Sequence, residues 1–268
     1  MPDTSIIAPH FREAGSGRSV VCLHANAGSS AQWRGLMELL AIDHHVFAPD
    51  LYGAGKSLDW ESPSEIALDD EVRFIEPVLA LAEKPFCLVG HSYGGAVALI
   101  AALRDPGRVR ALVLYEPTLF SVVANHRLPA GSVQGIQDAV SASSRALAEG
   151  DREGAAGHFI DYWMGAGSWQ ATPPARRGPI ADAVVNVRRW RHALFTEPTT
   201  LGALSALHMP ILYLLGGKSP ESAQAVARQL LPVLHNVRVV HGAGWGHMAP
   251  ITHAEAVNSE IAAFVRAT

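Results

Sequence analysis

Six residues, Gly90-His91-Ser92-Tyr93-Gly94-Gly95, constrain this chain more than any other stretch. They follow the apolar run Pro85-Phe86-Cys87-Leu88-Val89 and precede Ala96-Val97-Ala98-Leu99-Ile100-Ala101-Ala102-Leu103. The first run reads as a short buried strand, the second as a small-residue helix. A strand, G-x-S-x-G and a helix in that order predict a sharp, strained turn that lifts a serine hydroxyl clear of the sheet. Glycines flank the serine because a Cβ at either place would collide with the neighbouring helix or strand. The same turn points the backbone N–H of Tyr93 toward the place where a negatively charged oxygen would form. The bland alternative is a glycine-bracketed turn with an idle serine.

Composition narrows the setting. At 268 residues, 49% hydrophobic and 17% charged, the chain can bury one large α/β core with an insertion. A net charge of −4 with interspersed signs leaves no basic stripe, so nucleic acid is not an expected partner. The segment Met1-Pro2-Asp3-Thr4-Ser5 lacks a basic and apolar leader, and no apolar run approaches the roughly 18 residues of a membrane span. A cytoplasmic protein without membrane contact is the expectation. Cys22 and Cys87 each sit in a strand-like apolar run, which favours small-hydrophobe roles over a disulfide.

Short apolar runs at 19–23, 45–48, 86–89, 111–115, 211–215 and 237–240 alternate with helical patterns, as in a mostly parallel sheet covered on both faces. A weakly marked hairpin is expected around 6–13, turning at Gly15-Ser16-Gly17. Trp33, Leu36, Leu39 and Leu40 share one helical face, and Val72, Ile75, Leu79 and Ala82 another, with Pro77 expected to kink the second helix. The last helix runs from about His253 through Val257, Ile261 and Phe264. Between 119 and 207 the alternation breaks. Helices are expected at 133–149, 152–164 and 180–194, with a loop at 165–178 around Pro173-Pro174. An all-helical insertion between two strands is most simply a cap over the strand ends, where open α/β sheets bind ligands. The expected division is a core of 1–118 and 208–268 with a helical cap at 119–207.

A serine hydroxyl needs a base, and the base needs orientation and electrostatic support. Of the 13 histidines, His247 stands out, in Gly242-Ala243-Gly244-Trp245-Gly246-His247-Met248 just after the last strand. A glycine-rich loop there lets an imidazole approach a serine at a neighbouring strand end. The competing reading is an ordinary surface histidine.

His24-Ala25-Asn26, Asp50-Leu51-Tyr52-Gly53-Ala54-Gly55-Lys56-Ser57, Gly90 to Gly95, Arg110-Ala111-Leu112-Val113-Leu114-Tyr115-Glu116-Pro117 and Gly246-His247-Met248 together resemble the α/β-hydrolase superfamily. The resemblance covers essentially the whole chain, and is far more specific for fold than for substrate. It implies the α/β-hydrolase fold with an inserted helical cap. One departure concerns the acid. The family usually places an aspartate in a G-x-x-D turn, where this chain reads Gly216-Gly217-Lys218-Ser219. Glu116 matches the alternative acid position of some haloalkane-dehalogenase-like members and is favoured, because a charge at the end of an apolar strand needs a reason. Glu221, hindered by Pro220, and a dyad without an acid remain open. Replacing Ser219 or Glu221 is expected to do little.

The resemblance places an oxyanion hole at the N–H groups of Tyr93 and Asn26, with Ala25 where relatives often have glycine. His24 is expected to hydrogen-bond within its loop and Asp50 to brace neighbouring loops. Trp33, Tyr162, Trp163, Trp169 and Trp190 are expected mainly to pack, with some cap aromatics lining the pocket. His44-His45 and the set His241, His247 and His253 do not make a metal site, and neither metal nor cofactor is expected.

These residues together imply a serine hydrolase of carboxylic esters working through an acyl-enzyme on a small, rather apolar substrate. Lactone, amide or C–C bond hydrolysis, or cofactor-free perhydrolysis, would use the same residues. From another class, a hydrolase-fold ligand-binding protein without catalysis stays open because of Ser219. A homodimer is left open. Dehalogenase and epoxide-hydrolase chemistry use an aspartate at the serine position.

Overall fold

The computed structural model describes residues 8–124 and 131–268. The segment 1–7, which carries the leader reading and the start of the expected hairpin, lies outside them. Seven strands are present among the described residues: β1 (Phe11–Ala14), β2 (Arg18–Leu23), β3 (His44–Pro49), β4 (Phe86–His91), β5 (Val109–Tyr115), β6 (Ile211–Gly216) and β7 (Val237–Gly242). They form one sheet in the order β1-β3-β2-β4-β5-β6-β7. Only β1 runs antiparallel to its neighbour.

The hairpin expectation is corrected here. The turn at Gly15-Ser16-Gly17 exists, yet β1 pairs with β3, Phe11 opposite Pro49 and Ala14 opposite Val46. Both edges of β2 are already taken, by β3 and β4. Gly15 lets the chain swing outward: its φ is +76°, and a Cβ there would lie 2.2 Å from the His44 carbonyl oxygen.

Alternation along the central strands explains their continuous apolar character. Val20 and Cys22 of β2 face one core with Trp33, Leu36, Leu40, Val257 and Ile261. Val21 and Leu23 face the other with Val72, Ile75 and Val97. Both faces are covered, so both registers must be apolar. Cys22 and Cys87 are buried and unbridged. By contrast β7, whose sequence resembles a doubly buried strand, is the sheet edge, and Val239 is 46% exposed.

A 3₁₀ turn at Ser30–Trp33 leads into α1 (Arg34–Leu40); α2 (Leu68–Leu81) continues through Pro77, and α3 (Tyr93–Arg104) follows β4. Between β5 and β6 the described residues form α4 (Ser121–Ala124), α5 (Gln134–Ala148), α6 (Arg152–Met164), α7 (Ser168–Ala171), α8 (Pro174–Val184), α9 (Val187–Phe195) and α10 (Leu201–Leu204). The chain ends in α11 (Glu221–Leu230), α12 (Ala249–Thr252) and α13 (Ala254–Ala267).

Two local expectations fail in the insertion. The expected loop at 165–178 holds α7 and the start of α8: Asp161 accepts the Trp169 N–H at 2.7 Å, and Pro174 occupies the first turn of α8, where its missing N–H costs nothing. The expected helix at 180–194 is two helices broken at Asn186. That side chain donates to the Gly53 carbonyl at 3.1 Å and accepts from Arg189 at 2.9 Å, tying the insertion to a loop of the sheet.

The chain runs from β2 outward to β3, then returns to the other side of β2 for β4. At such a reversal the connecting loops diverge and leave a crevice at the carboxyl ends of the strands. Here the crevice is bounded by His24-Ala25-Asn26 after β2 and Ser92 after β4.

Candidate active site

Ser92 sits between β4 and α3 with φ +55° and ψ −117°, a conformation a non-glycine residue holds only when its surroundings impose it. Its N–H donates to the Tyr115 carbonyl at 2.9 Å, and its carbonyl accepts from Ala96 at 3.0 Å and Thr118 at 3.2 Å. Close packing explains the glycines. A Cβ on Gly90 would lie 2.5 Å from the Gly94 oxygen, and one on Gly94 would lie 2.4 Å from the Leu23 oxygen.

The Ser92 hydroxyl lies 2.9 Å from Nε2 of His247, and His247 Nδ1 donates to Oε2 of Glu116 at 2.7 Å. All three side chains are buried, Ser92 at 4% exposure, His247 at 1% and Glu116 at 0%. Glu116 also has a positive φ, +43°, just beyond the end of β5. That bend carries its carboxylate across to β6, where Oε1 accepts from the Gly216 N–H and the Ser219 hydroxyl, each at 2.6 Å. Glycine at 216 leaves room for this, since a Cβ there would lie 2.6 Å from Ser219 Oγ. Glu221 is elsewhere, paired with Arg228 on the exposed side of α11. The structure therefore brings together Ser92, His247 and Glu116, adds Ser219 as a donor to the carboxylate, and leaves Glu221 out.

A layer that the sequence pattern does not announce lies behind these residues. Gln32 Oε1 accepts from the Ala25 N–H at 3.1 Å, and its Nε2 donates to His91 Nδ1 at 3.1 Å. His91 Nε2 in turn donates to the backbone carbonyl of His247 at 2.8 Å. Burial, with His247 close by, pushes the His91 imidazole well below its usual pKa, so the ring is neutral and this tautomer holds. Three loops that meet at Ser92 are thus fixed by one chain of hydrogen bonds. Tyr115 adds a bond from its hydroxyl to the Gly246 carbonyl at 2.8 Å.

Tyr93 is the first residue of α3, where backbone N–H groups have no acceptor within the helix. Its hydroxyl donates to buried Glu71 at 3.0 Å, and Glu71 also accepts the Tyr52 N–H at 3.1 Å. Burial outweighs those donors and raises the Glu71 carboxyl to about 8. His24 Nε2 accepts the Leu51 N–H at 3.0 Å and Nδ1 donates to the Ala25 carbonyl at 2.8 Å, so its ring is occupied inside its own loop. Asp50 accepts from Ser30, Lys56 and His10. Burial pushes its carboxyl up, but those bonds outweigh it and hold the pKa below the usual value.

A small cavity of about 20 Å³ opens on Ser92. Asn26, Thr118 and Arg191 line it with the serine, while Phe120, Ile136, Phe159, Trp163 and Trp190 form apolar walls drawn largely from the insertion. Trp163 stacks on His247, ring centres 3.8 Å apart and planes 24° apart. Trp33 and Trp169 do not line this cavity. Among the described residues no group of three or more His, Cys, Asp or Glu could hold a metal ion, and no helix is long and apolar enough to cross a membrane.

Residues 18–254 match the family model of the alpha/beta hydrolase fold. A haloalkane dehalogenase of Agrobacterium fabrum (strain C58 / ATCC 33970) is 36% identical over 114 residues, 42% of this chain and 37% of that protein. A 2-hydroxymuconate semialdehyde hydrolase of Pseudomonas sp. (strain CF600) is 34% identical over 114 residues, 40% of this chain and 39% of that protein. Each match therefore spans about two-fifths of the relative. An esterase structure from Exiguobacterium antarcticum superposes with a TM-score of 0.78 at 17% identity, covering 96% of this chain and 95% of that one, which shows a common fold. A family match that runs from β2 to the start of α13, on a sheet of this strand order, places the chain in the alpha/beta hydrolase family.

Proposed function

We propose that this protein is a serine hydrolase that cleaves a carboxylic ester, or a related acyl bond, of a small and rather apolar substrate. One observation carries the reading: the buried chain Ser92–His247–Glu116, with contacts of 2.9 and 2.7 Å, opening on an apolar cavity. Ser92 attacks the carbonyl carbon while His247 takes the hydroxyl proton. Glu116 holds the imidazole in the tautomer that leaves Nε2 free to accept, and supports the imidazolium that forms. The N–H groups of Tyr93 and Asn26 bind the oxyanion. His247 then returns its proton to the leaving alkoxide. Water, activated by the same imidazole, releases the acid.

Halide displacement, the activity named for the Agrobacterium relative, does not suit Ser92. An alkylated serine would be an ether, with no carbonyl for water to attack. A second reading is C–C bond hydrolysis on the same residues, since the Pseudomonas relative is named a hydrolase of 2-hydroxymuconate semialdehyde, a compound with no ester or amide bond to cleave. Intact-mass analysis after a fluorophosphonate probe, on wild type and Ser92→Ala in parallel, tests the nucleophile. One adduct on wild type alone, followed by turnover of short p-nitrophenyl esters, supports the ester reading. Labelling with turnover of a vinylogous 1,5-diketone but not of esters would replace it with the second, and absence of both labelling and turnover would remove both.

A further inference from the structure

Besides Ser92 itself, Asn26, Thr118 and the exposed Arg191 interrupt the largely apolar lining of the cavity, and two polar atoms among them stand out. The Thr118 hydroxyl belongs to a residue only 1% exposed, and neither it nor the side-chain oxygen of Asn26 has a hydrogen-bond partner in the protein. Both residues line the cavity that opens on Ser92. Other buried hydroxyls without partners, those of Ser121 and Tyr213, belong to residues that do not line it. A buried hydroxyl or amide oxygen left unpaired is costly, and a valine would fill the Thr118 site with no such cost. Unpartnered polar atoms kept on residues that line a largely apolar cavity point to a polar group on what binds there.

We infer that the acyl part of the substrate carries a hydroxyl close to the scissile carbonyl, and that Thr118 and Asn26 are the specificity residues that receive it. This rests on the ester-hydrolase reading above. The placement follows from the backbone. Thr118 is held against the nucleophile by its own N–H on the Ser92 carbonyl, 3.2 Å away. Asn26 is assigned to the oxyanion hole, so an acyl group bound to Ser92 with its oxygen there has its first carbons beside the Asn26 side chain. The leaving group lies on the other side, toward His247 Nε2. A hydroxyl on those first carbons donates to Asn26 Oδ1 and accepts from Thr118, whose hydroxyl serves equally as donor or acceptor. The rest of the acyl group packs against Phe120, Phe159, Trp163 and Trp190, which line the same cavity. A site with buried hydrogen-bonding groups discriminates strongly against the analogue that leaves them unpaired, whereas an apolar pocket alone discriminates weakly.

The test compares ethyl butanoate with ethyl 2-hydroxybutanoate and ethyl 3-hydroxybutanoate, on wild type and Thr118→Val. The expected result is a kcat/KM at least about tenfold higher for one hydroxy ester than for the plain ester, the ratio falling to within about twofold in Thr118→Val. Thr118→Ser, which keeps the hydroxyl, retains the preference. Should Thr118→Val not be recovered folded, Thr118→Ser against Thr118→Ala makes the same comparison. Plain ester turned over as well as both hydroxy esters by wild type, or a preference that survives loss of the hydroxyl, overturns the assignment while leaving the ester-hydrolase reading intact. No turnover of any of the three, with no fluorophosphonate adduct on Ser92, overturns both.

Discussion

Ser219 Oγ donates a 2.6 Å hydrogen bond to Oε1 of Glu116, the carboxylate whose other oxygen holds His247. The residue that stands where the family usually has its acid thus donates to Glu116, the acid of the proposed mechanism. The carboxylate is fully buried, so each donor on Oε1 matters. Glu116→Gln is expected to lower kcat by about 10³ to 10⁴, because an amide neither supports the imidazolium nor secures the tautomer. The sequence alone implies little effect of replacing Ser219, but its hydrogen bond changes that: Ser219→Ala, which leaves the Gly216 N–H in place, is expected to lower kcat by about tenfold, the scale of one hydrogen bond to a charged group. Glu221→Gln, out on α11, is expected to leave kcat unchanged. Ester kinetics on the three variants check this, and equal losses in Ser219→Ala and Glu116→Gln would contradict the division of roles.

Gln32 is the residue whose importance is least visible in the sequence. It joins the Ala25 N–H to His91, and through His91 the carbonyl of His247. Gln32→Leu would strand a backbone N–H in the loop that precedes Asn26 and leave His91 free to turn. The expected outcome is a fall of about tenfold or more in kcat with KM changed less than threefold, since the catalytic groups are displaced and the pocket walls are not. Steady-state kinetics decide it, and a rise in KM at constant kcat would be the contrary result.

How much of this was legible follows from the range of each interaction. The turn at Ser92 is local: strand, glycines and helix all lie within 20 residues, and steric rules read them directly. Glu116 could be found because a charge at the end of an apolar strand is anomalous in itself. Gln32 and His91 are 59 residues apart, and His91 and His247 are 156 apart, with no local pattern that would betray either contact. Ser219 carried the opposite difficulty, since a serine where an aspartate was expected resembled a loss. In the insertion, Pro173-Pro174 suggested a loop because proline breaks helices, yet Pro174 begins one. β1 has only four residues, and its partner was decided by which sheet edge remained open.

Trp163 stacks on His247 and so joins the insertion to the loop after β7. Trp163→Ala removes a large, 7% exposed side chain and should cost about 3 kcal/mol of stability, read from thermal or denaturant unfolding. It also enlarges the cavity next to the nucleophile. The ratio of kcat/KM for long-chain to short-chain p-nitrophenyl esters should therefore rise several-fold over wild type. An unchanged ratio would mean that Trp163 does not bound the acyl site.

Glu71 makes stability depend on pH in a direction opposite to an ordinary paired carboxylate. Its carboxyl is raised from 4.5 to about 8 by burial, which outweighs the N–H of Tyr52 and the hydroxyl of Tyr93. Between those two values the unfolded chain has lost the proton and the folded chain keeps it. The folded state therefore binds more protons, and stability falls as pH rises, at up to about 1.4 kcal/mol per pH unit from this one group. Below about 4.5 both states are protonated, and above about 8 both are ionised, so the slope vanishes at either end. Glu71→Gln removes the titration while keeping two polar atoms for Tyr52 and Tyr93. Its stability relative to wild type should thus increase steadily from pH 5 to pH 8, measured by urea midpoints at constant ionic strength. Because Tyr93 follows Ser92 and its hydroxyl rests on Glu71, a parallel gain in ester turnover at the upper end of that range would tie the same proton to the proposed oxyanion hole. A difference between the two proteins that stays flat with pH would show instead that Glu71 ionises at its ordinary value, and that the donors from Tyr52 and Tyr93 outweigh its burial.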